Sequence, residues 1–189
     1  MQSNNPQELI KDGNHRMEMA VEATARDFSA IRTGRANPQL LNKIHVDYYG
    51  AETPLNQVAD ISVPEPRQLL IKPYDKSLIQ QIEKAILKSD LGLNPSTDSN
   101  GIRLIFPQMT EDRRKEMVKQ VHHRSEEGCI AVRNVRRDVL EHLKKLQKDK
   151  IVSEDELKRY ETEVQKLTDK YINEIHDLQK KKDAELMEV

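Results

Sequence analysis

Three arginines in five residues, Arg133, Arg136 and Arg137, stand in a 189-residue chain whose net charge is only −1. Guanidinium groups bond phosphate oxygens in pairs and stack on bases, so such a cluster points to a polyanion. A second cluster, Arg113-Arg114-Lys115, lies upstream. The small total charge hides a segregation. Residues 103–148 carry 12 basic and 7 acidic side chains, residues 149–189 carry 8 and 12, and residues 1–102 carry 11 and 13. A patch of one sign, rather than the net charge, is what attracts a polyanion. The competing view is a solvated helix face whose arginines meet local acids such as Asp138 and Glu141. The stretch Arg32-Thr33-Gly34-Arg35-Ala36-Asn37-Pro38 also has two readings. It is either an ordinary helix end with a turn or a joint carrying two positive charges.

Signatures of enzymes do not occur. There is no glycine-rich phosphate loop, dinucleotide fingerprint or nucleophile elbow. His122-His123 and His142 lack the i, i+4 spacing of a helical zinc site. The single cysteine, Cys129, forms no internal disulfide, and beside Gly128 it reads as a small residue at a close helix approach. No catalytic residue, metal ligand or cofactor is assigned. The five tyrosines and two phenylalanines, with no tryptophan, disfavour base stacking along a sheet. Recognition of a folded RNA by shape and phosphate remains open.

The basic residues need a long scaffold, and the sequence supplies one. Charged residues make up 33% of the chain and apolar residues 36%. That composition suits thin layers with much surface, such as long amphipathic helices, rather than a thick spherical core. All eight prolines lie at or before Pro107. Asn5-Pro6-Gln7-Glu8 opens a first helix, with Met17, Ala20, Val21, Phe28 and Ile31 on one stripe and Thr24 its polar member. Thr110 caps a second helix running to about Lys148, with Val118, Val121, Val132, Val135, Val139 and Leu146 at threes, fours and their sums. Ser153-Glu154-Asp155-Glu156 opens a third, with Leu157, Tyr160, Val164, Leu167, Tyr171, Ile175 and Leu178 inward. At about 100° per residue, Val135, Val139 and Leu143 fall within about 60° of Val132. Lys115, Lys119, Arg133, Arg137, Lys144 and Lys148 then share an outer flank at roughly 100–160°, with Arg136 at the rim near 40°.

Between the first two helices the pattern changes. Lys43–Tyr49, Gln57–Val63, Gln68–Lys72 and Gly101–Phe106 read as strands, and Ser77–Ser89 as a short helix ending at Gly92. The expected fold is α+β: an elongated antiparallel three-helix bundle with a small β/α/β domain inserted between its first and second helices. Residues 1–33 and 108–189 form the bundle, and 34–107 form the insert. Two chain crossings would make a hinge, with Arg32, Thr33, Gly34, Arg35, Pro38 and Pro107 as its residues. No apolar run approaches the ~20 residues of a membrane span. Met1–Pro6 shows no secretory pattern, so a cytoplasmic protein is expected.

Several blocks together resemble the bacterial ribosome recycling factor family. They are Ile31–Pro38, Val46-Asp47-Tyr48-Tyr49-Gly50, Pro73-Tyr74-Asp75-Lys76-Ser77, Glu83-Lys84-Ala85-Ile86 with Ser89-Asp90-Leu91-Gly92, Ala131–Asp138, and Gln165-Lys166-Leu167-Thr168-Asp169. Their order and spacing carry the resemblance from Met17 to Val189. Met1–Gly13, His122-His123-Arg124 and Gly128-Cys129 depart from the family's usual residues. The resemblance implies a three-helix bundle with a smaller domain and a transfer-RNA-like outline. It implies a non-enzymatic factor, a monomer, that binds the post-termination ribosome between the subunits. With elongation factor G and GTP, such a factor splits the subunits and frees messenger RNA. It further implies contact with large-subunit ribosomal RNA through Arg114, Arg133 and Arg136, with Arg137 added by adjacency and charge. The readings from other classes are a structural or RNA-binding coiled-coil protein without recycling activity, and an RNA hydrolase.

Overall fold

A computed structural model describes residues 3–188. Met1 and Gln2, part of the stretch read for a secretory pattern, lie outside the described residues, as does Val189. The chain forms two compact units, one of residues 1–31 and 114–189, the other of residues 32–113.

In the first unit, α1 (Pro6–Ser29) starts with proline where no N–H partner is needed, and Asn5 Oδ1 accepts from Gln7 N at 3.0 Å. It buries Ile10, Gly13, Met17, Val21, Thr24 and Phe28. Thr24 tolerates burial because its hydroxyl donates to Ala20 O at 2.9 Å. The helix ends at Ser29, so Ile31 on the expected stripe follows it as an irregular residue. Helix α4 (Glu111–Lys148) is 38 residues, about 57 Å. Thr110 Oγ1 accepts from Arg113 N at 3.2 Å in its first turn. Near its start Met117 is buried and Val118 only half-buried, because the apolar seam drifts around a straight helix by about 20° per heptad. Its C-terminus closes through Lys150 at φ 60, with Ile151 N donating to Leu146 O at 2.9 Å. Helix α5 (Glu154–Met187) opens where Ser153 Oγ accepts from Glu156 N at 3.1 Å.

The short link between α4 and α5 forces them antiparallel, and their side-chain pairs say the same: His122 meets Asp183, Cys129 meets His176, and Arg136 meets Gln165. Helices α1 and α4 are also antiparallel, with Gly13 facing Val139 and Thr24 facing Gly128. Helices α1 and α5 therefore run parallel, tied by Tyr171 donating to Asn14 Oδ1 at 2.7 Å. The helix approaches are close. A Cβ on Gly13 would stand 2.7 Å from Val139 Cγ2. A Cβ on Gly128 would overlap Thr24 Oγ1 and stand 3.2 Å from Ile175 Cδ1.

The second unit begins with a 3₁₀ turn at Pro38–Leu41, capped by Asn37. Strands β1 (His45–Tyr48) and β2 (Ala51–Pro54) form a hairpin, and Tyr49 (φ 52) and Gly50 (φ 84) make its tip. One helical turn, α2 (Leu55–Val58), leads into β3 (Ala59–Glu65), which pairs with β4 (Gln68–Pro73). A 3₁₀ turn and α3 (Ile79–Lys88) follow, then β5 (Ser96–Asp98) and β6 (Gly101–Ile105). The four-stranded sheet is antiparallel throughout, in the order β3-β4-β6-β5. Leu55, Leu69, Ile71, Ile82, Ile86, Ile102 and Leu104 fill its core.

Three details differ from the sequence pattern. The strand expected at Gln57–Val63 begins only at Ala59, because Leu55 and Val58, three residues apart, both reach the core from a helical turn. Strands β2 and β5 carry no sequence signal: Ala51–Pro54 and Ser96–Asp98 show no apolar alternation, and main-chain pairing holds them. In the β5–β6 hairpin, Arg103 Nε donates to Asp98 Oδ2 at 2.7 Å. That bond, helped by Asn100 N–H, holds the Asp98 carboxyl below its ordinary value.

Candidate nucleic-acid interface

The arginines occupy the side of α4 that the helical pattern assigns. Arg133 and Arg136 are half-buried and Arg137 is exposed, all within little more than one turn. Arg136, at the rim of the packing seam, reaches across to α5, where Nη1 donates to Gln165 Oε1 at 3.1 Å. Its Nε is buried and meets no acceptor among the described residues. Arg133 Nη1 lies 3.5 Å from Glu126 Oε1, two turns back and largely exposed. That is a loose surface pair, worth little in water.

The local acid does not neutralise the cluster. Asp138, adjacent to Arg137, turns to α1 and accepts from Arg16 Nη2 at 2.9 Å. No ion pair or hydrogen bond of Arg137 occurs among the described residues. The simple picture of a self-paired helix face therefore fails at Asp138. Arg114 stands apart. It is half-buried near the start of α4, and 19 residues separate it from Arg133, about 28 Å of helix.

The residues of the expected joint all fall in the second unit. Arg32 Nη2 donates to Asp90 O at 2.9 Å, and Ala36 N donates to Pro66 O at 2.8 Å. Thr33 Oγ1 accepts weakly from Arg35 N at 3.4 Å. Gly34 has φ +79, and a Cβ there would lie 3.2 Å from Met109 Cγ. Pro38 opens the 3₁₀ turn, and Pro107 follows Phe106, whose N–H donates to Arg67 O at 2.8 Å. One side of Gly34 is thus held by the Arg32 guanidinium and the other by the Ala36 main-chain N–H, with Gly34 the left-handed point between them.

The histidines are absorbed by ordinary contacts. His122 Nε2 lies 2.8 Å from Asp183 Oδ2, His123 Nε2 lies 3.0 Å from Glu127, and His142 Nδ1 donates to Asp138 O at 2.8 Å. No group of three or more potential metal ligands occurs among the described residues. No described helix is long and apolar enough to cross a membrane. Cys129 is 1% exposed, with Sγ 3.7 Å from His176 Nε2. Burial pushes its thiol up, against the opposing pull of Arg133. Thiolate is the reactive form, so the native protein is expected to resist an aromatic disulfide reagent at pH 8 and to react fully in denaturant. Titration of the released thiolate chromophore checks this, and fast reaction of the folded protein would contradict it.

The sequence pattern missed the contribution of α5. Gln165 and Asp169 were visible there as an i, i+4 pair, but nothing in a single helix pattern says that Gln165 faces Arg136.

Comparison with known proteins bears on what this surface meets. A family model described as ribosome recycling factor matches residues 24–187. A ribosome-recycling factor of Symbiobacterium thermophilum is 56% identical over 96% of this chain and 98% of its own. One from Bacillus pumilus is 54% identical over the same shares. A solution structure of the ribosome recycling factor superposes with a TM-score of 0.81 at 40% identity, covering both chains fully. A second structure covers 97% of this chain and all of its own, with a TM-score of 0.68 at 43% identity. It is the T. thermophilus ribosome recycling factor, described with E. coli elongation factor G as bound to the E. coli post-termination complex. The basic face of α4, the two-unit architecture and these matches over nearly the whole length lead to one conclusion: the chain belongs to the ribosome recycling factor family.

Proposed function

We propose that this protein, with elongation factor G and GTP, splits the post-termination ribosome into subunits and so releases it from messenger RNA. It acts by binding, and the GTP hydrolysis is the partner's. The observation that carries the reading is the 56% identity to a ribosome-recycling factor across 96% of the chain. A relative's placement with elongation factor G on a post-termination complex supports the choice of partners.

Within this reading, Arg114, Arg133, Arg136 and Arg137 contact large-subunit ribosomal RNA. An arginine cluster whose neighbouring acid is engaged by Arg16 favours phosphate as its partner. Residues 1–33 and 108–189 serve as the docking bundle. Residues 34–107 serve as the part that turns, about a joint made by Arg32, Thr33, Gly34, Arg35, Pro38 and Pro107. The protein works as a monomer in the cytoplasm.

The test is subunit splitting. Purified post-termination ribosomes, mixed with this protein, elongation factor G and GTP, should lose light scattering rapidly, and omission of any one component should abolish the drop. No drop with cognate ribosomes and an active partner would sink the reading. The turning small domain is tested by a disulfide introduced between the two units. The locked protein should still bind ribosomes and should fail to split them until it is reduced.

A further inference from the structure

The arginine cluster is held from a second helix. Arg136 Nη1 donates to Gln165 Oε1 at 3.1 Å, and Gln165 Nε2 donates to Asp169 Oδ1 at 2.9 Å. The second bond uses the amide's donor end, so its acceptor end is the one left facing Arg136. Arg136 Nε is buried, so the terminal nitrogens are the part of the guanidinium that a phosphate can reach.

The chemistry of the holder matters. On the same helix Arg124 and Arg133 lie beside carboxylates, Glu127 and Glu126. Arg136 is held by a neutral amide. A carboxylate at that place would grip the guanidinium more tightly and cancel the charge that a phosphate needs. An amide restricts the rotamer and leaves the full charge available. Asp169 fixes the amide from its other end, and the neutral amide group stands between that carboxylate and Arg136.

We propose that Gln165 is a positioning residue for ribosome binding: fixed by Asp169, it presents the end of the Arg136 guanidinium to a phosphate of ribosomal RNA. This rests on the reading of Arg136 as an RNA contact. It adds to that reading a residue of α5 and a reason for glutamine in its place.

The test is a double-mutant cycle in the full-length protein, read as affinity for post-termination ribosomes at several salt concentrations. Gln165→Ala is expected to weaken binding about three- to tenfold, the effect of one positioned hydrogen bond. It should also flatten the log–log salt dependence by part of the about 0.7–0.9 that one phosphate contributes, since Arg136 keeps its charge and loses only its placement. Gln165→Glu should weaken binding more than Gln165→Ala does, because it neutralises Arg136. In an Arg136→Ala background, Gln165→Ala should change nothing further. Thermal melting of each variant separates positioning from a fault in the bundle, since an unchanged salt slope with a lowered melting temperature would mark a purely structural role and overturn the proposal. Equal losses in both backgrounds would overturn it too, and so would full binding by Gln165→Glu. If Arg136→Ala alone binds as the parent does, the reading of Arg136 as an RNA contact fails, and the inference goes with it. If Arg136→Ala weakens binding and Gln165→Ala does not, only the inference fails.

Discussion

Arg133→Ala combined with Arg136→Ala is expected to weaken binding to post-termination ribosomes by about 10²–10⁴-fold. Each side chain stands to lose one charge-assisted contact of about 1.5–3 kcal/mol, and tenfold corresponds to about 1.4 kcal/mol. The bundle should stay folded. Arg133 has only a loose pair with an exposed Glu126, and Arg136 gives up one bond to Gln165 together with the cost of a buried, unpaired Nε. The salt dependence should flatten by about 1.4–1.8, the equivalent of two released phosphates. Titration of a labelled protein against ribosomes between about 50 and 200 mM salt measures both quantities. Unchanged affinity and slope would remove the arginine cluster from the docking surface. Arg137→Ala should act in the same direction with a smaller effect, since Arg137 is the most solvated of the three.

Gly101→Ala addresses the other unit, where a substitution of one methyl group should have a large effect. Gly101 opens β6 at φ +134, a region that residues with a Cβ rarely enter. A Cβ there would overlap the carbonyl oxygen of Ile71, on the neighbouring strand β4. Strain of about 1–2 kcal/mol from the backbone and about 1–3 kcal/mol from the displaced strand together come to roughly 2–5 kcal/mol. The loss falls where β4 pairs with β6 through Ile71 and Ile102, both fully buried. Hydrogen exchange should show lost protection across β3, β4 and β6 and retained protection in α1, α4 and α5. Ribosome binding through the bundle should then survive while subunit splitting collapses. A variant that loses protection in the sheet and still splits ribosomes at the parental rate would refute a mechanical part for the small unit.

How far the sequence could be read follows from how each element is stabilised. The three helices were legible because apolar stripes and capping residues are local signals. Asn5, Thr110 and Ser153 all sit at the helix starts that their spacing indicates. Strands β4 and β6 were legible for the same reason, since Leu69, Ile71, Ile102 and Leu104 are apolar and buried. Strands β2 and β5 were not. Their residues are polar or small, and their place depends on the partner strand. The arginine positions were legible as azimuths on one helix, down to the rim position of Arg136. The partner of Arg136 was not, because Gln165 comes from α5, and the loss of Asp138 to Arg16 was not, because Arg16 comes from α1. Asp138 is instructive: on its own helix it stands as a neighbour for Arg137, and only the packing of α1 sends it to Arg16.

Two close approaches of α1 and α4 have a mechanical consequence. Gly13 receives Val139, and Gly128 receives Thr24, so the bare backbone is on α1 at one site and on α4 at the other. The sites are eleven residues apart on each helix (13 to 24, 128 to 139), about three turns. The pair therefore acts like a key with two teeth cut from opposite sides. Sliding α1 along α4 by one turn would withdraw both teeth and set side chain against side chain. Rotation is opposed as well, because Ile175 of α5 packs on Gly128 from the third helix. Such a bundle resists axial shear far better than a seam of interchangeable leucines. The two sites lock α1 and α4 in register over some 16 Å, and α4 is the helix on which the arginines are mounted.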